Sequence, residues 1–274
     1  MDLDPEVPTE ELSDMKTDLL TTLETELERS LKFPYNNMTR VYRLGERRGP
    51  RVAKLPESYG GDCLEQVARL QARLREQGIP TKTILNPDVM HFALIGETPD
   101  GIFYLDPSLR ALKPVIFDNG VEENTVNAYP RVDDQWSRLN ARKNGNQLEV
   151  TWAVPNGDRV RSMATHRFAL AEPDATPRTT LEIQRAWFAG QKSLYWQIPD
   201  PTTGDLLNIR MMKGKEAPLE ISLIGKRGGY KPEESPEFQE RFERVIALTQ
   251  VSERDIREFI AETRRRWLEF SSQL

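Results

Sequence analysis

The chain has 274 residues, with 38 Lys plus Arg against 43 Asp plus Glu and a single cysteine. That length holds one large domain or a few small subdomains with ample core, and the mildly acidic balance argues against a nucleic-acid or anionic-membrane binder. One cysteine makes neither an intramolecular disulfide nor a cysteine-rich zinc site.

No apolar run is long enough to span a bilayer, and Met1-Asp2-Leu3-Asp4-Pro5-Glu6 lacks the basic and apolar parts of a secretory signal. A cytoplasmic protein with no membrane partner is expected. Residues up to about Glu10 read as a loose acidic arm. Leu12, Met15, Leu19, Leu20, Leu23, Leu27 and Leu31 then trace one face of an amphipathic helix that ends before Phe33-Pro34. Thr39 to Leu44 fits a short helix or a strand. Glu46 to Arg51 reads as a solvated basic loop.

The stretch Gly60-Gly61-Asp62-Cys63-Leu64-Glu65 predicts a helix start. Asp62 is the expected N-cap, and Glu65 stands at capping-box spacing. Leu64, Val67, Ala68 and Leu74 give the helix a buried face, and Gly78 with Pro80 stops it. Cys63 therefore falls at the first helical position, where free backbone N–H groups and the macrodipole favour a thiolate. The two glycines leave room for another backbone or a substrate to come close.

Two strands follow, His91 to Ile95 and Ile102 to Leu105, around a turn-rich connector from Gly96 to Gly101. Paired without a bulge, Ile95 faces Ile102, Ala93 faces Tyr104, and His91 faces Asp106. A carboxylate beside the imidazole fixes its tautomer and favours its cation. A lone cysteine is most often a small buried hydrophobe. Its place at a capped helix start, with His91 and Asp106 in register, points instead to an activated nucleophile.

Beyond Asp106 the pattern turns to strands. Pro114 to Phe117 leads into a turn at Asp118-Asn119-Gly120, and Gln147 to Val154 alternates before the turn signal Pro155-Asn156-Gly157-Asp158. Arg159 to Phe168 returns, so a small antiparallel barrel or curled sheet is expected from Thr81 to Leu170. His166 on this return strand reads as a structural or surface histidine, and the tryptophans at 136, 152, 187, 196 and 267 as core. Glu172 to Pro177 reads as a linker. Then come a helix over Thr180 to Phe188, strands over Ser193–Ile198, Leu206–Met212 and Leu219–Ile224, and a loop from Lys226 to Pro232. Helices follow over Pro236–Leu248 and from Ser252 through Phe270, the last with Ile256, Phe259, Ile260 and Trp267 on its apolar side.

The segment Gly60-Gly61-Asp62-Cys63-Leu64-Glu65 has the Gly-Gly-x-Cys-x-Glu form of the arylamine N-acetyltransferases, and His91 and Asp106 follow in that family's order and with its His-to-Asp spacing, while the interval from Cys63 to His91 is shorter than usual there. Phe33-Pro34-Tyr35-Asn36-Asn37 resembles its Ile-Pro-Phe-Glu-Asn element, and Arg167-Phe168-Ala169-Leu170 precedes a helix with Trp187-Phe188 as in that family. Tyr59 stands where the family has Arg, and Pro107-Ser108-Leu109-Arg110 where it has Val-Gly-Phe-Gly. Proximity in sequence makes Tyr59 and Ser108 candidate substrate-binding residues. The resemblance implies an α+β protein of three parts. These are a helical domain over 1–80 carrying the nucleophile, an antiparallel β-barrel over 81–175 carrying His91 and Asp106, and an α/β lid over 176–274.

It also implies acyl transfer from a coenzyme A thioester, acetyl-CoA foremost, through an acyl-cysteine to an amine, with no bound cofactor or metal. Two other readings stay open. One keeps the triad in an amide synthase using a carrier-bound acyl chain, or in a transglutaminase-like amidase or peptidase. The other is a non-catalytic interaction protein.

Overall fold

The computed structural model describes residues 9–44, 55–171, 181–214, 216–225 and 229–272. The acidic arm before residue 9, the basic run 46–51, the linker 172–177 and the loop residues 226–228 lie outside the described residues. Helix α1 (Thr9–Leu31) runs as its leucine repeat predicts, with Leu23, Leu27 and Leu31 buried. A two-residue strand, β1 (Tyr35–Asn36), follows, then α2 (Met38–Leu44), which settles the open choice at Thr39–Leu44 as helix. Helix α3 (Cys63–Glu76) lies beside α1, and their leucines pack together on Phe92, Leu94, Phe103 and Leu105.

Those four residues belong to the first sheet, made of β2 (Lys82–Asn86), β3 (His91–Thr98), β4 (Gly101–Leu105) and β5 (Val115–Asp118) in that order. Strand β3 is buried on both faces, which is why its sequence is a continuous apolar run rather than an alternation. Phe92 and Leu94 face the helices; Ala93 and Ile95 face the other way, into a second core. The second sheet comprises β6 (Glu123–Val132), β7 (Gln135–Asn144), β8 (Gln147–Asn156) and β9 (Arg159–Ala169), again in order. Leu139, Val150, Trp152 and Phe168 from it share that core with Ala93, Tyr104, Val115 and Phe117.

The barrel expected over residues 81–175 is not closed. The two sheets remain separate: no continuous ladder joins their edges, which are bridged by side chains and, ahead of β5, by an isolated backbone pairing of Ala111 with Ala128. Lys82 Nζ donates to the Leu170 carbonyl at 3.0 Å on one seam, and Asn124 Nδ2 to the Ile116 carbonyl at 2.7 Å on the other. The third sheet contains β10 (Ser193–Pro199), β11 (Leu206–Met212), β12 (Leu219–Leu223) and β13 (Lys231–Pro232), with β1 on its far edge. Helices α4 (Leu181–Gly190), α5 (Pro236–Thr249) and α6 (Glu253–Ser272) complete the third core. Met38, Val41 and Tyr59 also belong to that core, so it cuts across the division expected at residue 80.

The result is a mixed α+β chain with three antiparallel sheets and six α-helices among the described residues. None of these helices is long and apolar enough to cross a membrane.

Candidate functional site

Asp62 caps α3: its side chain accepts from the Glu65 N–H at 3.0 Å, while Glu65 Oε2 accepts from the Asp62 N–H at 3.2 Å. Both halves of the capping box are present, and Cys63 begins the helix. The glycines ahead of it are explained by the 33–37 segment. The Gly61 N–H donates to the Pro34 carbonyl at 3.0 Å, and the Asn36 N–H to the Gly61 carbonyl at 2.8 Å. A Cβ on Gly60 would stand 1.9 Å from the Pro34 oxygen, and its φ of +73° is left-handed. The Cys63 thiol is 7% exposed, and Sγ lies 3.5 Å from the Met90 carbonyl oxygen.

His91 opens β3, so its side chain stands at the rim of the sheet, on the face that looks towards β9. The β3–β4 register differs from expectation by two residues. Ile95 pairs with Tyr104 and Thr98 with Gly101, leaving a two-residue tip at Pro99-Asp100. The apparent connector from Gly96 to Gly101 is mostly strand, because Gly96 and Gly101 fit close to Phe103 and the Phe117 backbone. An even shift keeps side chains on the same face. His91 and Asp106 thus become diagonal neighbours instead of direct partners, and His91 Nε2 reaches Asp106 Oδ2 at 2.7 Å.

Asp106 is fully buried and saturated with donors. Tyr104 Oη shares Oδ2 at 2.7 Å. Oδ1 accepts from Ser108 Oγ at 2.7 Å and from the backbone N–H groups of Ser108 and Leu109 at 3.1 Å. Burial opposes its charge, but the His91 cation and these hydrogen bonds hold its carboxyl well below the usual range. Burial likewise opposes charge on His91. The Asp106 carboxylate, its hydrogen bond and the hydrogen bond with Cys63 outweigh it, raising His91 to about 10. Since Nε2 is taken by Asp106, Nδ1 is the ring nitrogen left for the sulfur.

Beneath this pair lies Arg110, fully buried with a φ of +61°. It donates to the Phe33 and Gln197 carbonyls, both at 3.1 Å, so it joins the 33–37 segment to the third sheet. Burial pushes it down to about 9, which leaves it a cation at neutral pH.

Cys63 and His91 open into a cleft of about 210 Å³. The rest of its lining is largely apolar, with Trp152 from β8, Ala164 and His166 from β9, Trp187 and Phe188 from α4, and Tyr195 from β10. The Trp152 indole donates to the Tyr129 carbonyl at 2.9 Å, which fixes its ring at the mouth. The His166 ring lies face to face on His91, with centroids 3.8 Å apart and planes 12° from parallel. Burial, and then the His91 charge, lower His166 to about 3 against a small opposing pull from Asp106, so it is neutral.

Of the residues expected from sequence, the structure gathers Cys63, His91 and Asp106 in one place. Ser108 lines the cleft and braces Asp106. Tyr59 does not line it. The ring stacks on Trp196 at 5.5 Å and against Phe259 at 4.8 Å, in the third core, and burial raises the phenol to about 12. Trp152 and Trp187 pack in or against the cores, as expected, and also line the cleft, as does His166, for which the sequence suggests a structural or surface place. His166 and Phe168 are the two buried positions of an otherwise largely exposed β9, two residues apart and so on one face.

Comparison with protein-family models, with curated proteins and with solved structures found no match. The geometry is that of a thiol and an imidazole lining one aromatic cleft, with the imidazole hydrogen-bonded to a buried carboxylate.

Proposed function

We propose that the protein is a thiol acyltransferase resembling the arylamine N-acetyltransferases, moving an acyl group from a thioester such as acetyl-CoA to an amine. The observation that carries this is that Cys63 and His91 line one cleft, with His91 bonded to the buried Asp106 at 2.7 Å. In this reading the Cys63 proton passes to His91, and Asp106 stabilises the resulting imidazolium.

The thiolate attacks the thioester carbonyl, forming a carbon–sulfur bond. The N–H of Cys63, at the helix start, is the first candidate donor to the oxyanion. Collapse expels the donor thiolate, which takes the proton from His91 and leaves as a thiol. The amine then attacks the acyl-cysteine, His91 accepts the amine proton, and Cys63 departs as thiolate while the amide forms. The order of events is ping-pong. The apolar wall of Trp152, Trp187 and Phe188 suits an uncharged acyl group or a flat acceptor and keeps water from the acyl-cysteine.

Intact mass after incubation with a panel of acyl-CoA thioesters tests the reading. An acyl-sized increment is expected on the wild-type chain and absent from Cys63→Ala. No increment with any thioester, but one with amides or carrier-bound chains, would replace the donor and move the reaction to an amidase or amide synthase. No adduct from any donor would remove the enzyme reading.

A further inference from the structure

We propose that His166 is a positioning residue: its ring, stacked on His91, sets the plane in which His91 presents Nδ1 to Cys63. The inference rests on the reading of Cys63 as a nucleophile served by His91. The His91 ring has one strong polar tether, Nε2 to Asp106 at 2.7 Å. A single hydrogen bond defines a line, not a plane, and the outer torsion of histidine is broad. Turning about that line swings Nδ1 away from the sulfur.

The face of His166, at 3.8 Å and 12°, closes that freedom on one side. Phe168, two residues along the same strand, adds a tilted contact to His91 at 6.1 Å and to His166 at 6.3 Å. Both residues are fixed in the ladder of β9 on β8, opposite Val150 and Leu148. The stop is therefore as rigid as the sheet.

Stability alone does not account for a histidine here. His166 Nδ1 is buried with no hydrogen-bond partner, and the residue is 8% exposed. An unpaired polar atom in such a place is unfavourable, and a phenylalanine would fill the space without one. What an uncharged imidazole offers is a compact aromatic face that can lie flat on a cationic ring without adding charge.

Cys63 is the only cysteine, so iodoacetamide labelling of the full-length chain reads that sulfur alone. Labelling rates against pH, and kcat and KM for acyl transfer, are measured for wild type, His166→Ala, His166→Leu and His166→Phe. Wild type is expected to label rapidly, as a thiol served by an imidazole does. His166→Ala and His166→Leu should lose that reactivity and roughly a hundredfold in kcat, the scale of a misplaced catalytic group, with KM little changed. His166→Phe, which restores a flat ring, should recover most of both. Where the Ala variant does not fold, the Leu variant carries the comparison.

Ala and Leu variants that label like wild type would overturn the proposal. So would a Phe variant as impaired as Leu, because the ring nitrogens would then be what matters. If wild-type Cys63 itself labels like an ordinary thiol, the nucleophile reading and this inference fall together. A fast wild type with an equally fast Leu variant removes only the inference.

Discussion

The two walls of the cleft are built on different principles. On one side, Cys63, His91 and Asp106 come from neighbouring elements, and Asp106 alone collects five donors. On the other, Trp152, His166, Trp187 and Tyr195 come from four elements and present apolar surface, with an imidazole nitrogen left unpaired. The first wall is fixed by hydrogen bonds and charge, the second by the packing of one sheet against another. Disturbing the first should damage charge placement; disturbing the second should damage shape and aim.

The largest effect belongs to Asp106→Asn. It keeps the shape but removes the charge facing a buried imidazolium, and breaking a buried pair in this way costs about 3–5 kcal/mol. Turnover should fall by roughly four orders of magnitude, as expected when the carboxylate that orients a catalytic histidine is lost. The stability change carries a pH signature. His91 is raised to about 10 in the fold against roughly 6.5 unfolded, so its contribution is complete below pH 6.5 and is lost as pH climbs towards 10. Asp106 shifts the opposite way, and its share is lost only as pH falls below the ordinary carboxylate range. Urea unfolding at about pH 6 and pH 9 should show the wild type weaker at the higher pH and the Asn variant without that decline. Equal declines in both would mean that Asp106 does not sustain the His91 charge.

Gly60→Ala tests the junction between the walls and the 33–37 segment. The new methyl would meet the Pro34 oxygen at a φ of +73°, so strain and clash combine. We expect a loss of about 1–3 kcal/mol in thermal or urea unfolding, together with loss of Cys63 reactivity, because the backbone that must move leads into α3. Gly78→Ala is the control. Its φ of +75° is nearly the same, but nothing stands within 4 Å. It should show the smaller penalty of the backbone conformation alone and leave Cys63 unaffected. If the two variants behave alike, the close approach of Pro34 is not what requires Gly60.

The same contrast governs how much could be read from sequence. The capping box joins Asp62 to Glu65, three residues on, and Cys63 falls between them, so the start of α3 was legible. His91 and Asp106 were placed on one face even though the hairpin register was off by two, because parity survives an even shift. The strands β6 and β7 were missed. Their turn is Asp133-Asp134, with φ of +47° and +64°, a left-handed pair without the glycine that usually announces it. The roles of Trp152 and His166 depend on which sheet faces which, and Tyr59 was drawn from the cleft by an aromatic core that α6 supplies from the far end of the chain. None of that is local, so no spacing rule reports it.

The smallest effect is also the most specific to the second wall. His166 is lowered to about 3 in the fold against roughly 6.5 unfolded. Between those values the unfolded chain binds a proton that the folded chain refuses, so the His166 share of stability must fall as pH drops below about 6.5. The unfolded His91 gains its proton over the same range and contributes the opposite slope, equally in wild type and in a His166 variant. His166→Phe removes the titration and keeps the ring. Between pH 7.5 and pH 5.5 the Phe variant should gain about 1 kcal/mol relative to wild type. Using a difference between two pH values cancels the change in packing that the substitution itself brings. A Phe variant with an unchanged acid limb would mean that His166 takes up a proton within the fold, and a charged ring could not lie flat on His91. The two walls would then be in conflict rather than complementary, and His91 would need another partner to hold its plane.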